Sequence, residues 1–282
     1  MLRGGFGVML IFSLLLSAAL RACAAFNLSE ATTAAYFSAA AYCAPASLAN
    51  WSCQFCAHRP LHNVTYLYNS STETAGFVAF DAAAARVVVS FRGTVTDEEW
   101  LEDFDLRLVD PATGALCGAN SSEVCVAHGF YFDAYASLRA QLLAALSRFP
   151  ASAPLVLTGH SLGAVVAEYA AWELGARRVQ SVVTFGTPRG GNAAFAAAFA
   201  AARLPSAYRV THAEDPVPHL PPVFFDYRHP PTEVFFPQQS NWSDWHICSA
   251  EDGEDPSCCD SVFPDLPSDH NVYMGIGIDS CA

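Results

Sequence analysis

The pentapeptide GHSLG at positions 159–163 is the feature that most restricts how this chain can fold. It follows four strand-favouring residues, Leu155–Thr158, and it leads into Leu162–Leu174, which has helical composition. Glycines can mark an ordinary turn, where they supply positive φ angles. A serine between two glycines, at the junction of a strand and a helix, instead favours a nucleophile elbow. We therefore interpret Ser161 as a nucleophile, and we expect the backbone N–H of Leu162 to face a developing oxyanion.

The rest of the chain alternates between strand-like and helix-like segments. The predicted helices are Ser29–Ala41 with Ser29 as N-cap, Phe132–Phe149, Leu162–Leu174 and Ala193–Ala202. The predicted strands are Val64–Tyr68, Phe77–Phe80, Arg86–Phe91, Leu155–Thr158, Ser181–Phe185 and Ala207–His212. This order predicts an α/β fold with a central, mainly parallel sheet and helices on both faces. The proline-rich segment 216–237 is predicted to be a long loop, and residues 25–282 are expected to form a single domain.

Residues 1–24 have the pattern of a secretory signal peptide. Arg3 precedes the apolar run Val8–Leu20, and Ala22-Cys23-Ala24 resembles a cleavage site. A membrane anchor is the alternative, but this run is too short to span a bilayer comfortably. Sequons for N-glycosylation agree with an extracellular destination, and they begin at Asn27, Asn50, Asn63, Asn69, Asn120 and Asn241. We therefore expect a secreted, extracellular protein.

The 10 cysteines also suit an oxidising compartment. If Cys23 leaves with the signal peptide, an odd number remains, so one thiol should be unpaired. The pair Cys53 and Cys56 could be a redox or zinc motif, but no second CxxC is present to complete a zinc site. A local disulfide is the better interpretation, and we expect neither a metal nor a cofactor.

The formal net charge of −13 restricts the partners of the protein. A nucleic-acid-binding protein would carry a basic stripe, which this sequence lacks. So acidic a surface also disfavours anionic membranes and anionic substrates. A neutral substrate is therefore the simpler expectation.

A serine nucleophile needs a histidine base, and the base needs a carboxylate that orients it. In folds with a nucleophile elbow, these residues follow in the order serine, acid, histidine. Asp215 directly follows the predicted strand Ala207–His212, whereas its rivals Asp226 and Asp244 lie in irregular segments. Later histidines are candidates for the base, namely His212, His219, His229, His246 and His270. His270 comes from a separate late loop, but on order alone a structural role suits it equally well.

Five short motifs occur in a fixed order along the chain: FRGT at 91–94, GHSLG at 159–163, TFGTPR at 184–189, DPVPHLPP at 215–222 and DHxxY at 269–273. The set resembles the fungal-type class 3 lipases, a family of secreted α/β-hydrolases that includes triacylglycerol lipases and feruloyl esterases. The resemblance implies an α/β-hydrolase fold with Ser161 as nucleophile, Asp215 as acid and His270 as base. It also implies that Thr94 completes the oxyanion hole beside Leu162.

The resemblance further implies a lid in the segment after Thr94. Within it, Trp100, Leu101 and Phe104 would share one face of a short helix, and acidic residues would cover the rest. A mobile lid is favoured over a permanently docked helix. The implied disulfides are Cys43–Cys281, Cys53–Cys56, Cys117–Cys125, and Cys248 with either Cys258 or Cys259. One departure from the family pattern is Gly191, which stands where a larger apolar residue is common.

Together these features predict a secreted, monomeric serine hydrolase that cleaves carboxylic esters of neutral lipids, acylglycerols above all, at a lipid–water interface. Two alternatives stay open. One is the same chemistry on soluble esters such as feruloyl esters, and the other is a catalytically silent relative that only binds. We expect no stable membrane insertion and no nucleic-acid partner.

Overall fold

The computed structural model describes residues 25–94, 107–118, 121–127 and 130–281. The helices are α1 (Leu28–Ala40), α2 (Pro45–Ala49), α3 (Phe130–Leu146), α4 (Leu162–Leu174), α5 (Ala193–Ala201) and α6 (Pro267–His270). Short 3₁₀ helices cover Cys56–His58, Val217–His219, Val223–Phe225 and Cys259–Ser261. The predicted signal peptide, 1–24, and the predicted lid residues Trp100, Leu101 and Phe104 lie outside the described residues.

The strands are β1 (His62–Asn69), β2 (Thr74–Asp81), β3 (Arg86–Phe91), β4 (Leu108–Val109), β5 (Val126–Ala127), β6 (Leu155–His160), β7 (Val179–Phe185), β8 (Gly191–Asn192), β9 (Ala207–His212), β10 (Tyr227–Arg228), β11 (Glu233–Phe236), β12 (His246–Ile247), β13 (Val272–Tyr273) and β14 (Ile276–Gly277). Eight of them form the central sheet in the order β1-β2-β3-β6-β7-β9-β11-β12. The neighbours from β3 to β11 are parallel, while β1–β2, β2–β3 and β11–β12 are antiparallel. This mainly parallel sheet confirms the predicted fold class.

Strand β3 shows why the sheet is covered on both faces. Every residue of its sequence RVVVSF is buried, as expected for a parallel strand between two layers of helices. Successive side chains point to opposite faces, so Val87 and Val89 pack in one core with α3 and α4. Val88 packs on the other face, with Phe37 of α1.

The first helix begins earlier than the sequence pattern predicts. Asn27, not Ser29, is its N-cap, because Asn27 Oδ1 accepts a hydrogen bond from the backbone N–H of Glu30 at 3.1 Å. Ser29 lies inside the first turn. Both residue types cap helices well, so the pattern alone did not separate them.

The prediction of one long loop over 216–237 is wrong at its end. Glu233–Phe236 forms β11, a buried strand that pairs in parallel with β9 and extends the central sheet. This strand has only four residues and lies between Pro230–Pro231 and Pro237. Prolines are rare in strand interiors, and their density obscured the short apolar run.

Four disulfides tie loops to this framework: Cys43–Cys281, Cys53–Cys56, Cys117–Cys125 and Cys248–Cys258. Among the described cysteines, Cys259 is the one with a free thiol, and it is buried. The first bond has the largest sequence separation, 238 residues, and it joins the end of the first helical segment to the C-terminal region. Within the described part of the chain, no helix has the length and apolar character needed to cross a membrane.

Gly163 should be essential for the packing of α4 against β3. A Cβ atom at this position would lie 2.3 Å from the backbone oxygen of Phe91, which cannot swing away as a side chain would. We expect Gly163→Ala to destabilise the fold by about 3 kcal/mol, or roughly 6–12 °C in Tm. Thermal denaturation measures this shift.

Gly118→Ala is the matched control, because a Cβ there meets no atom within 4 Å. An equal Tm for the two variants would show that β3 and α4 can separate without cost, contrary to this prediction.

Candidate active site

Ser161 sits at the tip of a sharp turn between β6 and α4. Its backbone adopts φ 57° and ψ −129°, an unfavourable conformation for any residue other than glycine. The turn is fixed by a hydrogen bond from Ser161 N–H to the Phe185 carbonyl at 3.0 Å. A Cβ on Gly159 would lie 2.2 Å from the Gly163 oxygen, so the end of β6 and the start of α4 pack too closely for a side chain at Gly159. Backbone strain of this kind is typical of functional sites.

The hydroxyl of Ser161 is buried, and its Oγ makes no hydrogen bond to any residue that the structure describes. A buried polar atom without a partner costs free energy, so such a group in a native fold calls for a ligand or a reaction. The structure thus places at the elbow a hydroxyl that a bound molecule can contact.

Asp215 and His270 form a buried pair next to this turn. His270 Nδ1 donates to Asp215 Oδ2 at 3.0 Å, and both side chains are almost fully buried. Burial alone would raise the pKa of Asp215, but the attraction of His270 and hydrogen bonds from His270, Tyr273 and the Val217 N–H together lower it below its usual range. Asp215 therefore stays ionised and fixes His270 with its Nδ1 bound and its Nε2 as the basic nitrogen.

The hydrogen bond from the Tyr273 hydroxyl to Asp215 Oδ2 belongs to the same pair. A Cβ on Gly186 would lie 2.9 Å from His270 Nδ1 and 3.0 Å from Asp215 Oδ2. The turn after β7 therefore closes over the pair, and only a glycine leaves room for it.

A second histidine supports the first. His160 Nε2 lies 2.8 Å from the His270 carbonyl oxygen, and its Nδ1 lies 2.8 Å from the Tyr42 hydroxyl. Burial, followed by the nearby His270, lowers the pKa of His160 to about 3, so this ring is neutral. Because a carbonyl can only accept, Nε2 carries the proton and Nδ1 accepts from Tyr42. The Tyr42 oxygen also accepts from Gly93 N–H at 3.1 Å, which links the end of β3 to the backbone of His270.

Asp269 holds the loop of His270 from the other side. Its carbonyl accepts from His212 Nδ1 at 3.1 Å, and its Oδ2 accepts from the Glu214 N–H at 3.1 Å. His270 is thus fixed through its own carbonyl, through the neighbouring Asp269, and through its ring. Sequence reasoning missed Tyr42, His160, His212 and Asp269 in these positioning roles, and it considered His212 only as a candidate base.

Of the two predicted oxyanion-hole residues, Leu162 directly follows Ser161, and Thr94 follows Gly93, where a Cβ would lie 3.0 Å from Ser161 Cβ. Leu162 is the first residue of α4, and Thr94 follows the end of β3. In the sheet, Phe91 of β3 is paired with Gly159 of β6, so the two strand ends are in register. Thr94 Oγ1 is buried and makes no hydrogen bond within the described residues. The roles of both residues stay predictions.

Two groups of side chains in the described residues have the spacing of metal ligands, but their chemistry does not suit a metal. In the first, Cys248 and Cys258 are joined as a disulfide, so neither offers a thiolate to the nearby His246. In the second, which is His219, Cys259 and Asp260, burial raises the pKa of the Cys259 thiol well above its usual range. Asp260 there already contacts His219 Nδ1 at 3.4 Å and Arg189 at 3.8 Å.

Residues 88–225 match the family model "Lipase (class 3)". Over these residues, the chain is similar to the class 3 lipase family. Among curated relatives, it is 35% identical to secreted mono- and diacylglycerol lipase 1 of Fusarium solani over 170 residues, which are 59% of this chain and 48% of the relative. The chain therefore spans about half the length of that relative.

Solved structures of lipases share its fold, which is the α/β-hydrolase fold. Lipase II from Rhizopus niveus aligns with a TM-score of 0.79 and 27% identity, over 90% of this chain and 97% of that one. The triacylglyceride lipase of Rhizomucor miehei aligns with a TM-score of 0.78 and 25% identity, with the same coverage.

The hydrogen bond from Tyr273 to Asp215 should stabilise the fold more when Asp215 is ionised than when it is protonated. Because the pKa of Asp215 is lowered in the folded state, its contribution is present above the unfolded pKa of about 3.9 and is lost as the pH falls through the folded pKa. We expect Tyr273→Phe to cost about 1.5–3 kcal/mol at neutral pH and less in acid. Urea denaturation at about pH 7 and pH 3 measures both values.

Tyr169→Phe is the control, because the buried Tyr169 hydroxyl donates to the neutral carbonyl of Gly190. Its cost should not depend on pH over this range. If the free-energy cost of Tyr273→Phe were the same at both pH values, the strength of this hydrogen bond would not depend on the charge of Asp215, contrary to the prediction.

Proposed function

We propose that this chain is a secreted hydrolase of the class 3 lipase family that cleaves carboxylic esters of neutral lipids, acylglycerols above all. The observation that carries the proposal is the buried, unpartnered Oγ of Ser161 at a strained strand–helix turn beside the Asp215–His270 pair. The names of relatives give the substrate class, since they include a mono- and diacylglycerol lipase and a triacylglyceride lipase.

In the proposed mechanism, Ser161 Oγ attacks the ester carbonyl carbon while His270 Nε2 takes the hydroxyl proton. Asp215 stabilises the imidazolium that forms. The tetrahedral intermediate then collapses, the C–O bond to the alcohol breaks, and His270 returns the proton to the leaving alkoxide. Water repeats the sequence on the acyl-enzyme, which releases the fatty acid and restores Ser161.

The oxyanion of each intermediate is stabilised by the backbone N–H groups of Leu162 and Thr94. The Thr94 hydroxyl is a third donor. This role is supported by the burial of Thr94 Oγ1, which has no hydrogen-bond partner among the described residues. An oxyanion would supply the acceptor that this hydroxyl lacks. No step requires a metal or an organic cofactor.

Secretion follows from the signal-peptide pattern of residues 1–24, and the word "secreted" in the name of the Fusarium solani relative supports it. The substrate is met as a lipid or ester at a lipid–water interface, and the protein acts as a monomer. The lid that would respond to this interface is the segment with Trp100, Leu101 and Phe104.

The initial rate of tributyrin hydrolysis, followed through the solubility limit, tests this function. We expect a rise in rate once droplets form. In the Ser161→Ala variant, turnover should fall by about six orders of magnitude, because the nucleophile is lost. Smooth saturation below the limit would instead indicate an esterase for soluble substrates, and feruloyl esters would then be tested. A rate that does not depend on Ser161 would refute the proposal.

The role of the Thr94 hydroxyl has a separate test. We expect Thr94→Val to lower kcat by about 10²–10³, which is the usual cost of losing one oxyanion donor, with little change in KM. Thr94→Ser keeps a hydroxyl and should restore most of kcat. A Thr94→Val enzyme with unchanged kcat would leave the backbone N–H as the only contribution of this residue.

A further inference from the structure

Three consecutive apolar side chains, Val223, Phe224 and Phe225, are exposed on the surface. Phe224 is 77% exposed, and its ring centroid lies 4.4 Å from that of Phe225. Single exposed apolar residues are common on soluble proteins, but this is the only consecutive run of large ones in the described residues. A contiguous apolar surface of this kind marks an interaction site. We call it the Val223–Phe225 patch.

The backbone that carries the patch is fixed rather than loose. Its 3₁₀ helix is closed by hydrogen bonds from Phe225 N–H to the Pro222 carbonyl and from Asp226 N–H to the Val223 carbonyl. The Arg228 guanidinium also donates to the Val223 carbonyl at 2.8 Å. Such a patch loses little conformational entropy when a partner binds.

Arg189 connects this backbone to the rest of the site. Its buried guanidinium donates to the carbonyls of His219 and Pro221 at 2.6 and 3.1 Å, and it pairs with Glu254 at 2.6 Å. Arg189 lies in the loop after β7, and the patch lies in the segment after Asp215. The loop after β7 starts at the carboxyl edge of the parallel strands, where Ser161 lies, and Arg189 ties the backbone just before the patch to that loop.

The charges near the patch favour a neutral partner surface. Anionic lipid is attracted by clusters of lysine and arginine next to the apolar contact. The segment 216–237 contains a single such residue, Arg228, which already donates to two backbone carbonyls. Asp226 directly follows the patch, and the whole chain has a net charge of −13.

We propose that the Val223–Phe225 patch is a fixed contact with the surface of neutral lipid aggregates, and that it holds the Ser161 edge of the sheet against that surface. This contact is present in the folded chain without any movement of the predicted lid. It deepens the proposed function and rests on it for the nature of the surface. The aromatic rings enter the outer layer of the aggregate, while Asp226 stays in water.

The test is a binding measurement in the Ser161→Ala background, so that no lipid is consumed. The probe is a triolein emulsion coated with phosphatidylcholine, and bound protein is separated by flotation. We expect Phe224→Ser with Phe225→Ser to raise the lipid concentration for half-binding by roughly tenfold for each ring lost. Tyr68→Ser is the matched control. Tyr68 is an aromatic residue with the same exposed fraction as Phe225, 43%, but it lies in β1, the outermost strand of the central sheet.

Three results would overturn the proposal. The first is a double variant that binds the emulsion as the Ser161→Ala parent does, at equal Tm. The second is tighter binding of the parent to emulsions coated with phosphatidylglycerol. The third is a dimer in sedimentation that the double variant abolishes, because the patch would then join two copies of the chain.

Hydrolysis of a soluble ester with Ser161 intact separates this inference from the proposed function. A chain that hydrolyses the ester but binds lipid independently of Phe224 and Phe225 retains the function and refutes the patch. A chain whose lipid binding depends on both rings, but which shows no serine-dependent hydrolysis, retains the patch and refutes the function.

Discussion

The close approach of three backbone segments at the elbow is the constraint on which the site depends. β3, the turn at Ser161 and the first turn of α4 approach so closely that a Cβ at Gly159 or Gly163 would overlap backbone atoms. Side chains could adapt to a crowded neighbour, but backbone atoms in a parallel sheet cannot. The turn must therefore keep Ser161 at positive φ, and this strain is balanced by the surrounding sheet, through the hydrogen bond to Phe185 among others.

The backbone fixes Ser161, and the ionised carboxylate of Asp215 is buried nearby. A buried carboxylate is costly unless it is paired and hydrogen-bonded. Asp215 has four such interactions, and they lower its pKa despite its burial. His160 differs from Asp215 because burial keeps its ring neutral. It can therefore orient the His270 backbone without adding a positive charge. His160 and His270 lie next to each other in space, and they differ in role because His270 is paired with a carboxylate and His160 is not.

Much of this arrangement could be predicted from the sequence, for reasons that differ between residues. The bounds of β3, β9 and α4 agree with the prediction, because each segment has a strong pattern with a clear end. Ser161 could be proposed from its place between a strand and a helix, and Asp215 from its place after β9, whereas His270 needed the resemblance to the class 3 lipases as well as chain order. Tyr42 carried no such signal, since its hydrogen bond to His160 joins residues 118 positions apart. Only the folded sheet brings them together.

Two further details depended on the three-dimensional environment. Cys258 and Cys259 are adjacent, so sequence could not choose between them; the N–H of Cys259 donates to Glu233 of β11, while Cys258 bonds to Cys248. Glu233 belongs to β11, a strand that the sequence pattern did not predict, so the sequence offered no reason to expect Cys259 to be the unpaired cysteine. Gly191 departs from the family pattern, and a Cβ there would lie 2.4 Å from the Cys125 carbonyl oxygen. The pairing of β5 with β8 therefore requires glycine in this chain.

The loops at the carboxyl edge of the sheet behave as one unit, because charged side chains join them. Arg189 links the loop after β7 to the segment 219–221 and to Glu254, and Asp269 links the His270 loop to Glu214. An arginine that is nearly fully buried and makes bidentate and backbone hydrogen bonds holds its partners more rigidly than a surface ion pair does. The proposed lipid contact at Val223–Phe225 would therefore act on a frame that also carries Asp215. In this proposal, orientation at a lipid surface and alignment of the proposed catalytic groups have the same structural basis.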